Sequence, residues 1–360
     1  MKTLPARKRT KYIKIDPQVP ELHKIRLAAR ILQRGGVVAF PTETVYGLGA
    51  NALDPHAVRR IFWAKGRPQD NPLIVHVANL KMVQALTACL PSRALELIRR
   101  FWPGPLTLVL PKSGLVPPEV TAGLDTVALR MPAHPVALAL IKAARRPIAA
   151  PSANLSGKPS PTTGHHVLRD LRGKIEAVVD GGPAWVGLES TVLDLTSPVP
   201  VILRPGGITR EQLQEVLGEV SLDPGTGENR GGAPPKSPGM KYIHYAPEGE
   251  VYLVEGDLFA MTSRIRELVA LFKRQGRRVA VLATAETAPQ YTRDPRPDYL
   301  EVLGSRQDLS QVAAHLFAAL RNCDRHGMEV ILAETFPEEG IGLAIMNRLR
   351  KASGNRIIRP

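Results

Sequence analysis

Apolar and polar positions follow helical and strand periods in turn over residues 15–220. A helical spacing of apolar residues comes first, at Leu22, Ile25, Ala29 and Leu32. This spacing predicts a helix with one buried face, and Gly35 can supply its left-handed C-terminal cap. A second helix is predicted to begin at Asp54 and Pro55, because an N-cap residue followed by proline is a typical helix start.

Short apolar runs predict strands at residues 37–40, 73–77, 106–110, 127–129, 148–150, 177–179, 191–195 and 201–203. Helical patterns lie between some of them, near residues 94–101, 136–144, 166–171 and 210–217. Because the strands outnumber the helices, we expect a twisted mixed α/β sheet rather than a regular series of βαβ units.

A Gly/Pro-rich segment separates this region from a second α/β pattern. It begins at residue 223 as DPGTGENRGGAPPK and continues as the more aromatic SPGMKYIHYAP up to residue 247. Such a composition cannot bury a core, which predicts a linker. The expected organisation is a basic tail (1–14), a first α/β domain (15–222), the linker (223–247) and a C-terminal α/β domain (248–360).

The C-terminal domain has the pattern of a small parallel sheet. Strands are predicted at residues 251–254, 279–282 and 330–333, and helices at 261–274, 309–321 and 342–351. Helices between successive strands are typical of parallel sheets, so a smaller, Rossmann-like α/β domain is expected. The domain has no GxGxxG motif, so nucleotide binding is not expected there.

The chain is strongly basic, with a net charge of +15 and a pI near 10.1. Six of these charges come from Lys and Arg side chains of residues 1–14, which contain no acidic residue. Such an excess favours polyanionic partners such as nucleotides or nucleic acid, although a well-solvated surface would explain it equally well.

Cysteine usage and apolar runs limit the class of protein further. Cys89 and Cys323 are isolated, which excludes a disulfide framework and a cysteine-ligated zinc site. No apolar run approaches the ~20 residues that span a bilayer. The basic N-terminus also lacks the apolar segment of a secretory signal. We therefore expect a cytoplasmic protein with no membrane partner.

Polar side chains concentrate between the first two predicted strands of the first domain. They are Thr42, Glu43, Thr44, Lys65, Arg67, Asn71 and His76. Polar groups on loops at strand ends usually mark a site. Lys65 and Arg67 lie in a Lys-Gly-Arg-Pro turn and suit a phosphate, although cations at a helix end also complement its dipole. His76 shares a strand face with Ile74 and is either a ligand contact or a structural histidine.

Further polar groups lie at other strand ends. Thr126, Ala128 and Arg130 share one strand face, and the Arg130 guanidinium can hold a carboxylate or form a salt bridge. The segments 150–157 (APSANLSG), 189–191 (EST) and 203–207 (LRPGG) add hydroxyls, amides and a second arginine. No Walker, HExxH or GxSxG motif occurs, so the common phosphate-cradle, metalloprotease and hydrolase mechanisms are excluded.

Six motifs occur in a fixed order: PTETVYGLG, KGRPxxxPL, TVALRMP, APSANLSG, ESTVLD and LRPGG. Together they closely resemble the YrdC/TsaC domain. The SPGMKYIHYAP segment and the second α/β domain are similar to the long form of the threonylcarbamoyl-AMP synthase family. The resemblance covers roughly residues 20–355.

The resemblance implies a nucleotidyltransferase that converts L-threonine, bicarbonate (or CO2) and ATP into threonylcarbamoyl-AMP, pyrophosphate and water. This is the first step in making N6-threonylcarbamoyladenosine in tRNA. The implied L-threonine-binding positions are Thr44, His76, Arg130, Ala150 and Ser190. The implied ATP-binding positions are Lys65, Arg67, Asn71, Thr126, Ser152, Asn154, Ser160, Arg204 and, on a linker that folds over the site, Tyr242.

The expected chemistry is attack of a carbamate oxygen on the α-phosphorus of ATP. Such a transfer needs positioning and charge neutralisation more than an acid–base pair. We expect Mg²⁺ to be held mainly by phosphates and water, with no protein side chain as ligand. His76 is our hypothesis for the base that takes the proton of the threonine ammonium, because histidine titrates near neutral pH. Further partners are tRNA or the proteins of the downstream transfer.

Two other functions compete with this interpretation. A double-stranded RNA-binding or ribosome-assembly factor without catalysis would also use a basic surface, and it predicts salt-dependent RNA binding without ATP cleavage. A hydrogenase-maturation carbamoyltransferase contains a similar domain, but the zinc-binding cysteine pairs expected of it are absent from the sequence.

Overall fold

The computed structural model describes residues 9–223 and 244–359, which form two units. The first contains residues 9–156, 160–185 and 189–223, and the second contains residues 157–159, 186–188 and 244–359. Each unit has a sheet of its own. Among the described residues, no helix is long and apolar enough to cross a membrane. Tyr242 and most of the predicted linker lie outside the described residues.

The first unit contains an eleven-stranded mixed sheet. Its strands are β1 (Lys11–Lys14), β2 (Val38–Phe40), β3 (Gly47–Asn51), β4 (Ile74–His76), β5 (Leu106–Pro111), β6 (Thr126–Arg130), β7 (Ile148–Ala149), β8 (Ala177–Asp180), β9 (Thr191–Asp194), β10 (Val201–Arg204) and β11 (Ser221–Leu222). They lie in the order β1-β8-β2-β3-β7-β4-β6-β5-β9-β10-β11. Parallel pairs such as β4·β6 occur beside antiparallel pairs such as β5·β6. The predicted mixed α/β sheet is confirmed.

Eight helices connect these strands. They are α1 (Leu22–Gln33), α2 (Pro55–Lys65), α3 (Leu80–Leu86), α4 (Ser92–Phe101), α5 (Pro118–Thr121), α6 (Pro135–Ala144), α7 (Gly164–Leu171) and α8 (Arg210–Leu217). Helix α2 begins as predicted, because the Asp54 side chain accepts hydrogen bonds from the backbone N–H groups of His56 and Ala57. It ends at Gly66 with a φ of 62°, which places Lys65 in its last turn.

Strand β3 lies in a segment that the sequence suggested to be a loop. Its glycines are needed because of close packing: a Cβ on Gly49 would lie 2.7 Å from both Ile148 and the Phe40 ring. A Cβ on Gly47 would lie 3.2 Å from the same ring. Glycine lowers strand propensity, which hides β3 from sequence patterns, yet only glycine leaves room for Phe40 here.

Strand β1 begins inside the predicted basic tail. Residues Lys11–Lys14 pair in parallel with β8 at the edge of the sheet. Only Ile13 of this strand is buried, and the lysines stay exposed. Lysines are typical of edge strands because they discourage pairing with other chains. The ordered sheet therefore starts four residues earlier than predicted.

The two faces of the sheet are covered differently. One face packs against α2, α4 and α8 through a single apolar core that includes Val75, Leu129 and Leu193. On the opposite face, α1 and α6 cover β1, β8, β2, β3 and β7. The other half of that face carries only strand residues in its apolar cluster, namely Ile74, Val109, Ala128, Val192 and Leu203. The candidate site lies on this half.

The second unit has a five-stranded sheet in the order β14-β13-β15-β12-β16. Its elements are β12 (Glu250–Val254), α9 (Leu258–Arg274), β13 (Val279–Ala283), a 3₁₀ turn (Ala288–Tyr291), β14 (Tyr299–Val302), α10 (Leu309–Arg325), β15 (Val330–Glu334), α11 (Gly342–Ser353) and β16 (Ile357–Ile358). All its strand pairs are parallel, which confirms the predicted parallel α/β domain. Strands β14 and β16 were not predicted, since both are short and only half-buried.

Candidate active site

The register of the sheet places Thr126, His76 and Arg130 on the half-face that carries the apolar cluster of Ile74 and Ala128. His76 pairs with Arg130 across β4 and β6, and Ile74 pairs with Ala128. Paired residues point to the same side of a sheet, so His76 and Arg130 extend the apolar patch that contains Ile74 and Ala128. The predicted common face of Thr126, Ala128 and Arg130 follows from the same alternation.

Arg130 contacts three groups at the end of β6. Its Nη1 donates to Thr44 Oγ1 at 2.8 Å, and its Nε donates to the Gly104 carbonyl at 3.3 Å. Its Nη2 lies 2.7 Å from Glu43 Oε1, and both side chains are at most 4% exposed. The salt bridge that the sequence left open for Arg130 is therefore present, while its carboxylate-binding role stays a prediction.

His76 is buried beside Arg130. Its ring lies edge-on to Phe40, with centroids 5.7 Å apart. Burial, assisted by the Arg130 cation, lowers the pKa of His76 to about 3. The imidazole is therefore neutral near pH 7 and has little affinity for a proton. The neutral imidazole can take part in hydrogen bonds, and its role as the base stays a prediction.

Ser190 lies beside β5 and β10. Its hydroxyl is 2.8 Å from that of Thr107, and Arg204 Nη2 donates to both the carbonyl and the hydroxyl oxygen of Ser190, at 3.0 and 3.2 Å. All three side chains are buried. The structure thus brings together Ser190 and Arg204, which the resemblance assigns to different substrates.

Lys65 is buried and reaches the loop that follows β7. Its Nζ donates to the backbone carbonyls of Ser152 and Asn154, at 2.6 Å each. The Ser152 hydroxyl in turn donates to the Asn154 side chain at 2.5 Å. Three of the predicted ATP-binding residues therefore form one hydrogen-bonded cluster, in which the lysine charge faces carbonyl oxygens.

Arg67 and Asn71 lie on the loop between α2 and β4. Arg67 Nη2 lies near the backbone carbonyls of Asn71 and Pro72, at 3.3 and 3.4 Å. The Asn71 side chain is buried, and neither its amide nitrogen nor its amide oxygen has a hydrogen-bond partner in the described part of the chain. Thr126 begins β6 and is half-buried.

The remaining predicted positions are less closely connected. Ala150 follows β7, and its backbone N–H donates to the Ile74 carbonyl at 2.8 Å. Ser160 donates to Glu189 at 2.5 Å, and both side chains are buried. Tyr242 lies outside the described residues, so its place relative to the nucleotide stays a prediction.

Two family models match consecutive parts of the chain. Residues 30–206 match the Sua5/YciO/YrdC model, which is described as telomere recombination, and residues 208–354 match the threonylcarbamoyl-AMP synthase C-terminal domain. The threonylcarbamoyl-AMP synthase of Pyrococcus abyssi is 55% identical over 337 residues, which cover 93% of this chain and 96% of the relative.

The chain belongs to the Sua5 family of threonylcarbamoyl-AMP synthases.

A second relative and a solved structure agree with this assignment. The threonylcarbamoyl-AMP synthase of Bacillus subtilis is 52% identical, and the match covers 96% of this chain and 95% of the relative. The crystal structure of Pyrococcus abyssi Sua5 complexed with L-threonine superposes with a TM-score of 0.92 at 53% identity, and covers 98% of this chain and all of that one. The predicted family and the predicted activity, threonylcarbamoyl-AMP synthesis for tRNA modification, are confirmed.

Sequence reasoning missed three side chains at this Sua5 site. Glu43 was noted as a polar residue without a role, although it lies between two threonines of the PTET motif. Thr107 gave no signal, because it lies within an apolar strand. His134 accepts a hydrogen bond from the Val136 backbone N–H at 3.2 Å, and only its position before Pro135 at the start of α6 hinted at a helix cap.

Metal ligands are a separate question for this synthase. Within residues 9–223 and 244–359, no group of three or more His, Cys, Asp or Glu side chains could hold a metal ion. The site instead contains guanidinium, ammonium, amide and hydroxyl groups, which are hydrogen-bond donors and suit anions.

Proposed function

We propose that the half-face of His76 and Arg130, together with the loops beside it, is the adenylation site, with L-threonine at Arg130 and ATP near Arg67 and Asn71. The observation that carries this proposal is a concentration of unsatisfied polar atoms. Buried side-chain atoms without a hydrogen-bond partner among the described residues occur on Glu43, Asn71, His76 and Arg130. Buried polar groups are nearly always hydrogen-bonded in proteins, so these four await a ligand.

The threonine end is formed by Thr44, His76, Arg130, Ala150 and Ser190. The Arg130 guanidinium supplies the charge for the substrate carboxylate, and Thr44 holds one of its nitrogens in place. The neutral His76 ring and the Ser190 hydroxyl add hydrogen-bonding groups on the same face. The solved complex of the Pyrococcus abyssi protein with L-threonine supports this placement, because the two chains are half identical over nearly their full length.

The ATP end is formed by Arg67, Asn71, Thr126, Ser152, Asn154, Ser160 and Arg204. Arg67 supplies positive charge for the phosphates, and the unsatisfied Asn71 amide can both donate and accept. We assign Lys65 an indirect role, since its ammonium already binds the loop of Ser152 and Asn154. For Mg²⁺ we propose coordination by the phosphate oxygens and water, the usual arrangement for this ion.

The reaction needs these groups mainly for positioning. A carbamate oxygen attacks the α-phosphorus of ATP, the bond to the bridging oxygen breaks, and pyrophosphate leaves. The fixed cations and strand-end donors stabilise the charge that develops, which is worth more in a site that excludes water.

The proposed function is tested by following pyrophosphate release with ATP, L-threonine and bicarbonate. Release should require both L-threonine and bicarbonate, and an Arg130→Met variant should lose L-threonine binding. Release that proceeds equally without L-threonine would contradict the proposal. The RNA-binding alternative predicts tight, salt-dependent RNA binding and no pyrophosphate. An addition of tRNA or of downstream transfer proteins to the assay would test whether these are partners.

A further inference from the structure

The ion pair between Glu43 and Arg130 is buried but incompletely satisfied. Glu43 Oε1 and Arg130 Nη2 are 2.7 Å apart, yet neither atom has the alignment of a hydrogen bond in the described part of the chain. The second carboxylate oxygen, Oε2, also has no hydrogen-bond partner there. Glu43 is 1% exposed, so bulk solvent does not reach these atoms. A buried carboxylate in this state is set up to accept hydrogen bonds from a donor that binds later.

Two titratable side chains face Glu43 from neighbouring elements. Arg130 pairs with it from the end of β6, and His134, at the start of α6, is close enough for the Glu43 charge to influence the pKa of its ring. Burial lowers the pKa of His134 to about 4, although the nearby Glu43 carboxylate opposes this shift. His134 is therefore neutral near pH 7, and Arg130 is the cation that balances the Glu43 charge.

This pair matches the charges of a free amino acid. An α-amino acid carries its carboxylate and its ammonium group on the same carbon. When Arg130 binds the carboxylate of an amino acid, the ammonium group of the same molecule therefore lies next to Glu43, the ion-pair partner of Arg130. In the complex with the amino acid, the ammonium group would stay beside the Glu43 carboxylate. This avoids the free-energy cost of a buried charge without an ion-pair partner.

We propose that Glu43 binds the ammonium group of L-threonine and accepts the proton that this group loses before carboxylation. The inference rests on the proposed placement of L-threonine at Arg130. One N–H proton moves to a Glu43 oxygen, and the freed nitrogen lone pair forms the N–C bond to CO2. The π-electron pair of one C=O bond moves to its oxygen. The second proton of the nitrogen leaves to water, which gives the carbamate, and Glu43 later returns its own proton to solvent.

The neutral His76 and His134 rings fit this assignment. Neither takes up a proton near pH 7, because burial holds the pKa of each ring at about 3 to 4. Glu43 is the carboxylate of this cluster, and its Oε2 has no hydrogen-bond partner in the described part of the chain.

The first test compares Glu43→Gln with the unmodified enzyme in pyrophosphate release, at saturating L-threonine and from pH 7 to pH 9. We expect kcat of the variant to fall about 10²- to 10³-fold at pH 7. The ratio of the unmodified kcat to the variant kcat should shrink about tenfold per pH unit, because the ammonium group of L-threonine loses its proton to solvent more readily as the pH rises. A deficit that is equal at every pH, or that appears in KM alone, would overturn the proton-accepting role. Glu119→Gln, which removes the charge of a carboxylate paired with Arg59, is the matched control and should follow the unmodified enzyme.

The second test uses calorimetric binding of L-threonine and of 2,3-dihydroxybutanoate, which has a hydroxyl in place of the ammonium group. The unmodified enzyme should prefer L-threonine at least tenfold, and Glu43→Gln should lose this preference. An unchanged preference would show that Glu43 does not bind the ammonium group. Glu43→Asp keeps the charge and should keep the preference for L-threonine. This variant keeps the test decisive if Glu43→Gln folds poorly.

Arg130→Met should bind neither ligand. If it binds L-threonine normally, the placement of the substrate is wrong regardless of Glu43.

Discussion

The Lys65 ammonium group donates a hydrogen bond to the Ser152 backbone carbonyl at 2.6 Å, which ties the end of α2 to the loop after β7. Both elements carry residues proposed to bind ATP. The lysine therefore couples Arg67, two residues further along the chain, to Ser152 on the other side of the site. We therefore expect its charge to act on ATP binding through the shape of the loop.

Replacement of Lys65 by methionine should destabilise the enzyme and weaken ATP binding together. The carbonyls of Ser152 and Asn154 would lose the ammonium donor, and a hydrogen bond to a charged group contributes about 1.5–3 kcal/mol. Urea unfolding should show this loss, and KM for ATP should rise while KM for L-threonine changes less. Lys81→Met removes an exposed lysine on α3 and should leave both measurements unchanged. A change in ATP affinity without any loss of stability would instead favour direct contact of Lys65 with the nucleotide.

Replacement of Asn71 by leucine should weaken ATP binding without lowering the stability of the fold. The Asn71 amide is buried without partners in the described chain, so an apolar side chain of similar size should leave the free energy of unfolding within about 1 kcal/mol or raise it. Binding of a non-hydrolysable ATP analogue should weaken at least tenfold, about 1.4 kcal/mol. Calorimetry and thermal unfolding measure the two effects, and L-threonine binding serves as the internal control. Unchanged analogue binding would remove Asn71 from the ATP site.

Replacement of Gly49 by alanine should disturb the sheet behind the site. The new Cβ would lie 2.7 Å from both Ile148 and Phe40, and overpacking of this kind costs about 1–3 kcal/mol. Phe40 contacts the His76 ring, so KM for L-threonine should also rise. Gly114→Ala, at an exposed position with no atom within 4 Å of its Cβ, is the matched control for denaturant unfolding. Equal stability of the two variants would show that Phe40 moves aside freely.

The stability of the first unit should fall as the pH falls below about 6.5. His134 has a pKa of about 4 in the folded chain and a higher value when unfolded, so the unfolded state binds more protons between these two pH values. His134→Asn preserves a side chain that can cap α6 and removes this titration. Its free energy of unfolding should depend less steeply on pH, by about 1.4 kcal/mol per pH unit between pH 6 and pH 4.5. His23→Asn, at an exposed position in α1, should retain the full slope.

Sequence patterns predicted the elements that have strong local signals. The start of α2 at Asp54 and its end at Gly66 follow from capping chemistry that acts within a few residues. Strand β3 was missed because its glycines are required by close packing against Phe40 on the neighbouring strand β2 and against Ile148, which the local sequence pattern does not show. Strand β1 was missed because a single buried residue, Ile13, supports it.

The sequence indicated which residues belong to the candidate site, but not which of them contact one another. The motifs indicated which polar residues belong to the candidate site, and alternation along β6 predicted the face that Arg130 shares with Thr126 and Ala128. The pairing of Arg130 with Glu43, and the burial that keeps His76 neutral, depend on the three-dimensional packing of β4, β6 and the loop after β2. These contacts could therefore not be predicted from the sequence.

The alternation along β6 also restricts where the chain can change its length. Val127 and Leu129 belong to the apolar core, while Thr126, Ala128 and Arg130 line the opposite face. Deletion of one residue inside this strand would turn Arg130 into the core and expose leucine to the substrates, because side chains change sides at every residue. An extra residue at the exposed turn around Gly114 would leave both faces as they are. Length variation is thus tolerated at the turn and forbidden in the strand a few residues away.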